Sequence, residues 1–227
     1  MLSTVPFYVS AIFILTTIAT LVLFYFAVKK VSPKANVILI FLCAWLLITG
    51  MLALQGFFSN TNVTPPRLMF GVGATFLVIV ILFINQSSRK LIDRLPLSNL
   101  TYINIVRVPV ELVLYWLFIY KAVPELMTFE GRNFDILAGL TASIIGHLVF
   151  TKKILSRKVL LIWNFICLGL LINIVINAVL SAPFPFQKFA FDQPNVGVLY
   201  FPFIWLPVFI VPVVLFGHLV SIRQLLK

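Results

Sequence analysis

Charge is scarce in this sequence. Of 227 residues only 10% are Asp, Glu, Lys or Arg, against 62% that are hydrophobic, whereas soluble globular chains run at about a quarter charged and half apolar. With a mean hydropathy of +1.13 and apolar runs about 20 residues long, a water-soluble globule is excluded and a bilayer is the solvent for most of the chain. In hydrocarbon every backbone polar group must be satisfied internally, which leaves helices or a closed barrel. Acids number only six, and histidines and cysteines two each. Cys43 and Cys167 both fall inside apolar runs, where a cysteine is a small apolar filler, and they say nothing of redox compartment.

Seven apolar runs stand out, at residues 7–28, 35–54, 68–84, 100–120, 134–150, 159–182 and 198–219. Each is close to the roughly 20 residues that cross a hydrocarbon core of about 30 Å, and none alternates like a barrel strand. The expected fold is therefore all-α, a polytopic bundle of seven transmembrane helices forming one domain over residues 1–227. The first run has no Lys or Arg ahead of it and no Ala-x-Ala site after it, so it reads as a helix and not as a cleaved signal.

Basic residues orient the bundle, because cytoplasmic loops keep Lys and Arg. Loops one, three and five with the tail hold twelve of the seventeen, the opposite loops hold Arg67, Lys121, Arg132 and Lys188, and Arg107 lies within the fourth run. The N-terminus is expected outside and the C-terminus inside a plasma or inner membrane. The net charge of +11 is then mostly a topology signal with attraction to anionic membrane lipids, and no loop is long enough to present a nucleic-acid-binding face.

A parallel internal repeat is also expected. Cys43 over Cys167 aligns Ser32, Lys34, Phe41, Leu46 and Leu47 with Ser156, Lys158, Phe165, Leu170 and Leu171. Phe76 over Phe209 aligns Val78, Val80, Leu82, Phe83 and Ser88 with Val211, Val213, Leu215, Phe216 and Ser221, at an offset nine residues larger. The halves would be 1–96 and 134–227, with the fourth helix as linker and a ligand pathway between them.

Polar residues inside the runs are the candidates for function, since a charge at mid-bilayer costs at least about 2.5 kcal/mol. Asn104, Arg107, Glu111 and Tyr115 fall within an arc of about 80° on the fourth helix. Arg107 and Glu111 are expected to neutralise each other, facing protein or water. Pro109 between them favours a kink. Asp135, Gly139, Ser143 and His147 recur every four residues on the fifth helix, a face that permits close helix approach. Asn164, Asn173 and Asn177 mark the sixth, either joining helices or lining a polar cavity. Pro202, Pro207 and Pro212 mark the seventh as a bent or hinged helix. The broken aromatic stretch at 183–191 reads as an interfacial belt or a lid over a pocket.

Seven helices with an outside N-terminus resemble, in topology alone, retinal proteins and small three-plus-one-plus-three sugar transporters. The last run has no lysine for a retinal Schiff base, and Asp-Arg-Tyr, Asn-Pro-x-x-Tyr and Pro-Gln signatures are missing. Nor is there a Ser-His-Asp set, metal-ligand cluster or phosphate-cradling glycine loop, so catalysis is not the leading expectation. That expectation is a protein that binds or transports a small molecule or ion at a polar site formed by Asn104, Arg107, Glu111, Tyr115, Ser143, His147, Asn173 and Asn177. Two other classes compete with it: a haem or metal protein, or enzyme, using His147 and His218 as ligands, and a sensor or assembly subunit whose polar stripe is structural.

Overall fold

In the computed structural model, which describes residue 2 and residues 4–227, the chain is 71% helical with no strands among the described residues. The helices are α1 (Phe7–Lys29), α2 (Ala35–Leu54), α3 (Leu68–Ile84), α4 (Gln86–Ile92), α5 (Leu97–Ile119), α6 (Asp135–Thr151), α7 (Arg157–Ser181) and α8 (Leu206–Leu225). Five of them, α1, α2, α5, α7 and α8, are long and apolar enough to cross a bilayer. A sixth is reached if α3 and α4 count together as one bent span. Alone, α3 and α6 have 17 residues each, or about 25 Å at 1.5 Å per residue.

The chain departs from simple spans at two places. The third run does not end in a simple loop: the chain turns by 93° at Asn85, whose side chain caps α4 by accepting from Ser87 N and Ser88 N at 2.9 and 3.1 Å. The seventh run begins its helix at Leu206 and not at 198, after a short 3-10 turn at Gly197–Leu199. Pro202 lies in the stretch between, and Pro207 sits in the first turn of α8. The first turn of α8 is then π-helical. Pro212 has no N–H for the Val208 carbonyl; the Trp45 indole of α2 donates to that oxygen at 3.0 Å. Within α5 the proline at 109 is accommodated by a 3-10 turn at Asn104–Val106, and the helix stays continuous.

Helices α5 and α8 form the centre and are the most buried of the long helices. α1, α6 and α7 pack around them, while α2 and α3 are peripheral, α3 burying only Gly71 and Ile79. Apolar area does not drive association in lipid; close packing and hydrogen bonds do. Gly71 is held so near Val208 that a Cβ would lie 2.9 Å from its Cγ1. On α6 the buried face is Asp135, Ala138, Gly139, Ala142 and Gly146, and a Cβ on Gly139 would come within 2.9 Å of Val108 N.

One end of the bundle is tied by basic residues. Arg223 and Lys227 both donate to Asp93, Lys30 donates to Asn99 at 2.9 Å, and Gln224 donates to the Ile92 and Leu95 carbonyls. Hydrogen bonds from Arg223 and Lys227 hold the Asp93 pKa down to about 2. At the opposite end, Gln193 donates to the Phe118 and Val123 carbonyls, and Val196 N and Gly197 N to that of Ala122. The segments at 118–135 and 181–197 thereby interlock.

Candidate functional site

Two polar clusters share the interior, both organised by α5. The first surrounds Arg107, which is 3% exposed. Its Nη2 lies 2.8 Å from Asp135 Oδ1, a close buried ion pair. The guanidinium also donates to the Cys167 carbonyl at 3.3 Å and, more loosely at 3.5 Å, to His218 Nε2. A guanidinium offers only donors, so His218 Nε2 is the acceptor and Nδ1–H donates to Asn164 Oδ1 at 2.9 Å. Asn164 Nδ2 closes the chain on the Leu160 carbonyl. This cluster knits α5, α6, α7 and α8 together.

The second cluster surrounds Glu111, one turn along α5 and 1% exposed. The expected Arg107–Glu111 pair does not form. No ion pair among the described residues reaches Glu111; its Oε2 accepts from Asn133 Nδ2 at 2.6 Å. Asn133 also donates to the Met127 carbonyl at 3.0 Å, and its Oδ1 accepts from Asp135 N at 3.0 Å. The loop before α6 is thereby fixed against α5. Glu111 Oε1 has no donor among the described residues.

Glu111 and Asp135 both border a cavity of about 210 Å³ enclosed by α3, α5, α7, the start of α8 and the segment at 184–195. The lining is otherwise aliphatic and aromatic, including Val72, Leu114, Ile174 and Leu206, with Phe184 and Phe186 from the aromatic stretch. The remaining polar group is Asn195, fully buried. Its Nδ2 donates to the Ala178 carbonyl at 3.1 Å and its Oδ1 has no partner. Met69, Phe76 and Val179 also line the cavity and are exposed on the outer surface, so it opens sideways between α3 and α7.

The other expected site residues lie elsewhere. Asn104 is buried and donates to its own helix at Leu100 O, 3.1 Å away. Tyr115 is half-buried and stacks on Phe129 with centroids 5.0 Å apart. Ser143 and His147 are exposed, because four-residue steps advance 400° and drift about 40° per step off the face that Asp135 and Gly139 bury. Asn173 donates to the Arg132 carbonyl at 2.8 Å and accepts from Asn177 at 3.3 Å; neither borders the cavity. His147 and His218 do not meet as a ligand pair: the first is exposed, and the second is buried with both ring nitrogens engaged. Among the described residues no three His, Cys, Asp or Glu side chains gather as metal ligands.

The residues that sequence reasoning left out of the site are Asn133, Asp135 and Asn195. Asn133-x-Asp135 at a helix start is a local turn signature that points to a side chain bonding its own backbone. No comparable signal marks Asn195.

Fold and composition define a multi-helix protein with several membrane-span candidates. Residues 65–226 match a family described as a domain of unknown function, DUF8737, and the chain belongs to that family. The matched stretch contains every residue lining the cavity. No curated protein and no solved structure matches the chain.

Proposed function

We propose that the chain is a multi-pass protein of a plasma or inner membrane that binds or transports a small molecule or ion in the cavity beside α5, with Glu111 as the contacting group. One observation carries this. Glu111 is a buried carboxyl whose Oε1 has no donor, and it borders an apolar cavity while the nearby arginine is directed at another acid. An unpaired carboxylate there is costly, so a proton or a bound cation must balance it. Arg107, by contrast, contacts Asp135, the Cys167 carbonyl and His218 and so joins four helices, although its Nε–H has no partner among the described residues; this favours a structural role for it and for His218.

In this proposal α3 and α6 also cross the membrane, giving seven spans, with the basic end cytoplasmic. Residues 1–96 and 134–227 would be the repeat halves about α5. Reconstituted vesicles screened with small neutral, cationic and anionic compounds test the function. At least one compound should be bound or taken up, with the signal lost in Glu111→Gln. No signal, or one unchanged in that variant, overturns the proposal.

A further inference from the structure

Resting on the binding reading above, we propose that the ligand is a small amphipathic amine that reaches the cavity sideways from the lipid phase. The polar atom available at the cavity is an acceptor. Glu111 Oε1 has no donor among the described residues, while Asp135 Oδ1 is already paired with Arg107 and Asn195 Oδ1 is fully buried. The one side-chain N–H group in the lining, Asn195 Nδ2, already serves the Ala178 carbonyl. A ligand must therefore bring the donors. A protonated amine brings up to three, with the positive charge that Glu111, which has no basic partner among the described residues, leaves unbalanced.

The remainder of the lining does not suit a calcium-like ion. Such an ion takes about six or more oxygens, and the only polar side chains in the lining are Glu111, Asp135 and Asn195, with hydrocarbon around them. An ammonium with an aliphatic or aryl body instead places its nitrogen against the Glu111 carboxyl and its body against Leu114, Ile174, Phe184 and Phe186. The volume of about 210 Å³ lies under the roughly 300–1,000 Å³ of drug-sized sites, which selects a small molecule. The route follows from the mouth: Met69, Phe76 and Val179 are apolar and exposed where the membrane would lie. A lipid-soluble compound passes there, and a strongly hydrated one does not.

The test uses the full chain in lipid nanodiscs, with empty nanodiscs subtracted, and three near-isosteric probes: phenethylamine, 2-phenylethanol and phenylacetate. Calorimetric titration should give the amine at least about tenfold tighter binding than either of the others, the scale set by a buried charge partner. Glu111→Gln should remove that advantage, with its thermal unfolding in the same nanodiscs reporting that the variant is folded. Equal binding of alcohol or carboxylate, no binding of the amine, or unaltered amine affinity in Glu111→Gln overturns the amine assignment. Filling the cavity with Ala178→Leu separates the two levels of inference. If it weakens whichever probe binds, the cavity remains the binding site even when the amine assignment has failed. If it changes no probe's affinity, both fail.

Discussion

Removing the Arg107 guanidinium should destabilise the bundle through Asp135 and not through Glu111. Arg107 and Asp135 are 3% and 4% exposed, and their charged atoms approach to 2.8 Å. Deleting one partner of such a buried pair strands the other and costs about 3–5 kcal/mol, while replacing both by uncharged groups recovers most of the loss. Arg107→Met keeps the aliphatic stem, so packing is disturbed little. In a double-mutant cycle, Arg107→Met with Asp135→Asn should show a coupling of about 2–4 kcal/mol. The parallel cycle with Glu111→Gln should stay below about 1 kcal/mol, because no direct contact joins the two. Reversible unfolding in mixed detergent, followed by tryptophan fluorescence, measures both. Additivity within about 0.5 kcal/mol at Asp135, or a larger coupling at Glu111, would refute the pairing described here.

Three further expectations use the same assay. Gly139→Leu should cost about 1–3 kcal/mol by overpacking, since its Cβ would meet the Val108 backbone nitrogen at 2.9 Å, whereas Ser143→Leu on the exposed side should stay within about 0.5 kcal/mol. A cost for Gly139→Leu no greater than for Ser143→Leu would show that α6 does not pack that way. Trp45→Phe strips the Val208 carbonyl of its indole donor and should cost about 1–3 kcal/mol; a neutral result would mean that another group serves that oxygen. Asp93 has a folded pKa of about 2, below its ordinary 3.8. Its ion pairs therefore stabilise fully above pH 3.8 and lose their contribution as pH falls through about 2. Because the pairs are partly exposed, the effect should be about 1 kcal/mol or less, and Asp93→Asn should lack that acid-limb dependence; an identical pH profile would remove Asp93 from the account.

Long apolar periodic runs were legible because the bilayer constrains them so strongly. Two expected runs, 35–54 and 68–84, coincide with α2 and α3 to the residue. The bend at Asn85 was hidden because its cause is a side chain taking two backbone N–H groups, a local competition that hydropathy does not register. Within the site, Arg107 and Glu111 stood out by cost alone, but their partners did not. Spacing suggested that they pair with each other, yet Arg preceding Glu is the weaker order on a helix. Asp135, at the start of another helix, offers the guanidinium a carboxylate at contact distance. Asn195 belongs to an irregular segment with no period to read, so only the folded chain reveals that it borders the cavity.

A density map of the full chain in lipid nanodiscs addresses the central claim most directly. The account predicts the Glu111 carboxyl beside Asn133, at the floor of a cavity walled by α3, α5 and α7, with Asn195 lining the same space. A map in which Glu111 points to the acyl chains, or in which α3 closes against α7 and leaves no cavity, would contradict it.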